Sequence, residues 1–373
     1  MDSSPPCIRL GLPHLQKGNV GIIGIVFLLS VTLLTVSCHT PADAEEFRIG
    51  VLYWSMNIPG QVAMRAGLEA EAARINTAAY TEGRPSVKLE ARVAGDGEAG
   101  IENQIRQMGE LVAMGVDCLI VQPTDNAALA APLRSANQAK IPVVAYDQYI
   151  SGGTLAAYRT SDNYQAGYLD GEYIAAKFAA EKEIRLILVE YPQVSSTVER
   201  VNGFLDALRE NGRQYKIMKS YFAVEPISGE KAGRDILRDF PRPGSVDVVF
   251  TVNDGGGLAV VNVLAAGGRS EIMVATIDGD PASVNNIMAG RLTVIDSAQF
   301  CGPLGAEAMK AAYALLTGGQ PPYHALVPVF PVTLETLESY PGWQGPVPAR
   351  FNKPWKSKNP EWRGELHIIS QQP

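Results

Sequence analysis

Five times along this chain a short run of β-forming residues gives way to polar ones, and those polar residues are where chemistry could sit. Trp54 is followed by Ser55 and Asn57, Val121 by Pro123, Thr124 and Asp125, Tyr146 by Asp147 and Gln148, Val252 by Asn253 and Asp254, and Ile277 by Asp278. Carboxylates accept hydrogen bonds and amides both donate and accept, so such a set can replace the water shed by a small polar ligand. Asp147 and Asp278 could also serve as an acid and a base. Each strand end alone is ambiguous, because Thr124, Asp125, Asn253 and Asp254 are equally good helix N-caps. Five strand ends that behave alike point to one shared polar cleft, since ligands of open parallel sheets bind at the carboxyl ends of strands.

The elements that must hold these residues alternate strand with helix. Strands are predicted over 47–54, 86–93, 117–121, 142–146, 155–159, 184–190, 215–222, 246–252, 271–277 and 292–296, with helices in the gaps. The helix over 61–77 repeats alanine and leucine at helical spacing. That over 163–180 is expected to bury Ala166, Leu169 and Ile174 and to expose Asp170, Glu172 and Lys177. Alternation of this kind builds parallel sheets covered by helices on both faces, an α/β class, and 373 residues suffice for two such domains.

Composition narrows the function classes. With 32 basic and 39 acidic residues the net charge is -7, and no charge run marks a nucleic-acid or membrane-surface partner. The chain has no G-x-S-x-G, H-E-x-x-H, Walker loop or cysteine–histidine cluster, so no catalytic residue, metal or cofactor is expected. Gly255, Gly256 and Gly257 lack the lysine of a phosphate loop and are read as letting a helix start pack closely on the sheet. The four histidines are poor catalytic candidates: His14 and His39 lie in or beside the N-terminal segment, and His324 and His367 in C-terminal connections.

Arg9 and Lys17 precede an apolar run from Val20 to Val36 that ends at Ser37 and Cys38, the pattern of an export signal over residues 1–38. At 17 residues the run is short for a membrane-spanning helix, which needs about 20. Leu34-Thr-Val-Ser-Cys38 resembles a bacterial lipobox, which makes Cys38 the candidate lipidated first residue of the mature protein. Cys7 belongs to the signal. Cys118, inside an apolar strand, and Cys301, at a helix start, are expected to be unpaired.

Four blocks of residues resemble the type I periplasmic binding proteins of the ribose and galactose branch, which serve sugar ABC transporters. They are Val121-Gln-Pro-Thr-Asp125 with 136–144 and Asp147; Thr160-Ser-Asp-Asn163 with Ala166-Gly167; Val198-Glu-Arg200 with Asn202-Gly-Phe204; and Val252-Asn-Asp254 with Ile277-Asp-Gly279. The resemblance implies two doubly wound parallel-sheet lobes joined by a three-segment hinge, crossing near 160–161, 298–299 and 328–332. The first lobe would be 47–161 plus 301–327, the second 162–299 plus 328–340. It implies that Asp147, Arg200, Asn253, Asp278 and Gln299 hydrogen-bond a sugar, with Trp54 against its apolar face. Asn57, Gln61, Gln148, Ser196 and Phe222 complete the candidate contacts. Two departures touch ligand identity: 57–61 lacks the paired phenylalanines of ribose binders, and Gln148 stands where the family often has a cation.

The resemblance makes the chain an exported solute-binding protein, at the periplasm or the outer face of the cytoplasmic membrane, that delivers ligand to a transporter permease. The same fold can present ligand to a sensor histidine kinase or chemoreceptor. A sugar-responsive repressor would need a DNA-binding helix pair where this chain has its export signal. Beyond Leu334, residues 341–373 carry Trp343, Trp355 and Trp362 among prolines, and are expected to form an extended tail whose tryptophans dock onto a lobe.

Overall fold

The computed structural model describes residues 46–369. The candidate export signal, with Cys7, His14, Cys38 and His39, lies outside them. Helices and strands alternate from the start: β1 (Glu46–Tyr53), α1 (Pro59–Glu82), β2 (Ser86–Val93), α2 (Gly97–Met114), β3 (Cys118–Val121), α3 (Ala130–Gln138), β4 (Val143–Tyr146) and β5 (Ala157–Ser161). A second series follows, with α4 (Asn163–Lys177), β6 (Ile184–Glu190), α5 (Ser195–Glu210), β7 (Tyr215–Phe222), α6 (Pro226–Asp239), β8 (Val248–Thr251), α7 (Asp254–Ala266), β9 (Met273–Asp278), α8 (Pro281–Met288) and β10 (Thr293–Gln299). The chain then runs through α9 (Cys301–Leu316), β11 (His324–Val327), β12 (Val329–Val332), β13 (Phe351–Asn352), β14 (Glu361–Trp362) and β15 (His367–Ile369).

All strands but β13 and β14, which pair with each other, form two sheets, ordered β15-β11-β5-β4-β3-β1-β2 and β12-β10-β9-β8-β6-β7. Both are parallel except at one edge, where β15 runs antiparallel to β11 and β12 antiparallel to β10. The central strands read as continuous apolar runs because helices cover both faces: Cys118–Val121 and Val248–Thr251 are buried at every residue. The chain passes between the sheets after Ser161, after Gln299 and at Pro328. Pro328 separates two four-residue strands that belong to different sheets.

Gly167 shows why α4 and α5 lie so close. A Cβ there would sit 1.8 Å from the carbonyl oxygen of Arg200, so only glycine permits this backbone contact. The contact seats the helix that carries Arg200.

The tail departs from a simple extended segment. After β12 it packs Tyr340, Phe351 and Trp362 around Phe330, pairs β13 with β14, and ends as β15 on the first sheet. His324 and His367 therefore lie in strands, not in connections. Cys118 and Cys301 are buried and unpaired. No helix among the described residues is long and apolar enough to cross a membrane.

Candidate ligand-binding site

The carboxyl ends of the parallel strands of both sheets meet at one cavity. Trp54, Ile58, Gly60, Gln61, Met64, Asp147 and Gln148 line it from the first lobe; Val194, Ser196, Thr197, Arg200, Val224, Asn253 and Asp278 from the second; Gln299 lies where β10 leaves for α9. The space between these side chains not filled by protein atoms is about 380 Å³, open solvent at its mouth included.

Hydrogen bonds hold the charged groups in place. Arg200 is 3 % exposed; its Nε donates to Asn163 Oδ1 at 3.0 Å, and its Nη1 to the Val252 carbonyl at 2.7 Å and Asp278 Oδ1 at 3.1 Å. Gln299 Nε2 donates to the same Asp278 oxygen at 2.5 Å. Asp147 Oδ2 accepts from Gln122 Nε2 at 2.9 Å, and Gln122 Oε1 in turn accepts the Trp54 backbone N–H at 3.2 Å. Both carboxylates sit on unfavourable backbone, with φ of 66° at Asp147 and 136° at Asp278. Strain of this kind costs about 1–3 kcal/mol per residue and persists only where the surroundings enforce it.

Polar capacity remains toward the cavity. Ser196 Oγ is buried without a partner among the described residues, and such a group is costly unless something satisfies it. Two bonds bridge the lobes beside the cavity: Ser196 N–H donates to Gln148 Oε1 at 3.3 Å and Tyr149 N–H to Ser195 Oγ at 3.4 Å.

Two expected contacts are not brought to the cavity. Asn57 is exposed and its Nδ2 donates to Asp96 at 2.6 Å, because the chain turns outward before α1 begins. Phe222 is 63 % exposed: along β7 side chains alternate, and Tyr221 takes the buried side. Asn253 lines the cavity and also caps α7, its Oδ1 accepting from Gly256 N–H at 3.1 Å. Asp125 accepts from the N–H groups of Ala127 and Ala128, and Thr124 bonds Gln104, so both serve local structure. Sequence reasoning missed the aliphatic lining, Ile58, Met64, Val194 and Val224. The last two follow the ends of β6 and β7 and carry no polar atom that would mark them as lining.

Burial dominates the electrostatics. It pushes the Asp147 carboxyl up to about 6, against the pull of Gln122 and Arg200, and raises Asp278 against Arg200. Behind the cavity, burial pushes Asp296 up to about 8 and drives Asp254 and Asp170 well above the carboxylate range. In the unfolded chain these groups ionise near 3.8, so as pH rises toward 8 the folded protein holds protons that the unfolded chain has released. Stability therefore falls with rising pH. His324 acts in the opposite sense, because burial lowers it from 6.5 to about 4, but its window closes by pH 6.5. The melting temperature of the ligand-free protein is expected to fall between about pH 6.5 and 8.5, less so in Asp296→Asn. A melting temperature that rises over that interval would contradict this.

Comparison with known proteins agrees with this arrangement. A family model described as a periplasmic binding protein domain matches residues 49–320. The ribose import binding protein RbsB of Escherichia coli is 27 % identical over 292 residues, covering 78 % of this chain and 92 % of the relative. Among solved structures, the Caulobacter myo-inositol binding protein bound to myo-inositol superposes with a TM-score of 0.66 at 24 % identity, covering 78 % of this chain and 95 % of that one. A solute-binding protein of an ABC transporter from Actinobacillus succinogenes, with bound D-allose, gives 0.66 at 22 % identity over 79 % of this chain and all of that one.

Proposed function

Because the chain belongs to the periplasmic binding protein family, we propose that it captures a neutral sugar or polyol between its lobes and delivers it to the membrane permease of an ABC transporter. The observation that carries this reading is the cavity between the lobes in which Asp147 of one faces Arg200, Asn253 and Asp278 of the other. Carboxylate oxygens accept from hydroxyls, while Arg200, the amides and Ser196 Oγ can donate to ring and hydroxyl oxygens. Two carboxylates against one guanidinium disfavour an anionic ligand such as a sugar phosphate. Trp54, 5 % exposed at the cavity wall, offers a flat apolar surface to a sugar's C–H face. Met64, Ile58, Val194 and Val224 supply the rest of the apolar wall without an aromatic clamp.

Asp147 and Asp278 act as acceptors in this reading, and no catalytic step is assigned to them. Relatives named for ribose import favour uptake over presentation to a sensor kinase. Thermal-shift screening of the mature protein against neutral sugars, polyols and their phosphates tests the proposal, since a ligand bound only by the folded state raises the melting temperature. A shift confined to anionic compounds, or none across the panel, would sink it. Lipidation at Cys38 is part of the same proposal and predicts acyl chains on that residue in the membrane fraction. Mass spectrometry finding an unmodified N-terminus downstream of Cys38 would remove the anchor.

A further inference from the structure

The tail beyond the family match, which ends at residue 320, reaches the floor of the cavity from behind. Trp343 Nε1 donates to the backbone carbonyl of Asp278 at 2.5 Å, and the Tyr340 hydroxyl donates to the carbonyl of Gly279 at 3.2 Å. Neither aromatic lines the cavity. The same stretch grips the first lobe, with Gly302 N–H donating to the Trp343 carbonyl at 3.2 Å and Gln344 Nε2 to the Ala63 carbonyl at 3.1 Å. Ala63 lies on α1, between the cavity residues Gln61 and Met64.

We propose that Trp343 is a positioning residue of the binding site: its indole N–H fixes the strained peptide at the end of β9 so that the Asp278 carboxylate points to Arg200, Gln299 and the ligand. Asp278 has a φ of 136° and Gly279 one of 80°, and a non-glycine residue stays in such a conformation only when its neighbours enforce it. Inside the fold, Gly279 N–H donates to Asp296 and Asp280 N–H to Asp254. The two carbonyls of 278 and 279 are held by the tail. Without the indole donor the peptide can turn toward a relaxed conformation, which swings the carboxylate away from Arg200 while both sheets stay intact.

Hydrogen exchange and calorimetry on the full mature chain test this with Trp343→Phe, which keeps an aromatic ring and removes the donor, and with Tyr340→Phe, which decides the matter should the first variant not fold. The exposed Arg363→Ala serves as the control. Exchange of the Gly279 and Asp280 amides is expected to quicken at least tenfold in Trp343→Phe, with those of Val274 and Ala275 inside β9 unchanged. Affinity for whichever of D-ribose, D-allose and myo-inositol binds the parent is expected to fall at least fivefold. Unchanged exchange at 279–280, a rise spread evenly over the second lobe, or an affinity within twofold of the parent overturns the proposal. The affinity arm rests on the sugar-binding reading. If no sugar binds the parent, that reading fails and the exchange arm still decides the role of Trp343.

Discussion

Replacing Arg200 with alanine is expected to weaken ligand binding at least tenfold, about 1.4 kcal/mol. Its guanidinium is buried and makes three bonds at once, to Asn163, the Val252 carbonyl and Asp278, so it belongs to the cavity wall rather than to a solvated helix face. Asp206, an acid that could have drawn it to the surface, pairs instead with Arg209 and Tyr164. Truncation removes the cation that compensates Asp278 in a site with a second carboxylate, Asp147. It also leaves the Val252 carbonyl short of a donor, so the unliganded variant should fold but melt at a lower temperature. Lysine should not restore affinity, because a single ammonium cannot reproduce the planar fork. Calorimetric titration decides, and an affinity within twofold of the parent would place Arg200 outside ligand contact.

The largest effect on stability is expected at Glu172. Expected on the exposed side of α4, this carboxylate is instead fully buried, as is Asp170, and it accepts from Lys353 Nζ at 2.7 Å, Trp355 Nε1 at 2.9 Å and Ser357 Oγ at 2.6 Å, all from the tail. Lys353 is itself only 5 % exposed at its side chain. Glu172→Ala leaves a buried ammonium unpaired, which costs about 3–5 kcal/mol, whereas replacing both partners with apolar residues of similar size is often close to neutral. Denaturant unfolding should therefore show Glu172→Ala far below the parent and Glu172→Leu combined with Lys353→Met near it. Should the single variant lose less than about 1 kcal/mol, the tail is not anchored through this pair.

Much of the architecture was legible because burial on both faces writes itself into sequence. The runs at 118–121 and 248–251 are apolar at nearly every position, and the helices between them carry helical periodicity. Strands 86–93 and 184–190 could be delimited to the residue because turn-forming or charged residues lie close on either side. The tail was harder. Two- and three-residue strands such as Phe351–Asn352 and His367–Ile369 have no periodicity of their own and exist only through pairing with distant chain. Its docking tryptophans were visible, but their partners, Glu172, Asp278 and Val329, are not neighbours in sequence.

The site divides along a similar line. Polar strand ends advertised Asp147, Asn253 and Asp278, and the family resemblance added Arg200 and Gln299; the structure gathers all five around one cavity. Phe222 fell outside because one residue of rotation at a strand end decides which side a side chain takes, and Asn57 because the segment between β1 and α1 turns it outward to Asp96; short-range pattern sets neither. The apolar walls were invisible for a different reason. Val194 and Val224 look like any core valine until the opposing lobe is in place.

Capture between closing lobes is the central claim, and solution scattering tests it most directly. In the described structure the lobes are bridged, with Gln148 and Tyr149 bonded across to Ser196 and Ser195. Small-angle X-ray scattering of the mature protein, with and without the sugar or polyol that gives the largest thermal shift, should show a larger radius of gyration without ligand and a smaller one, matching this bridged form, at saturation. A radius of gyration that does not change on saturation would contradict hinge closure and with it the account of the site.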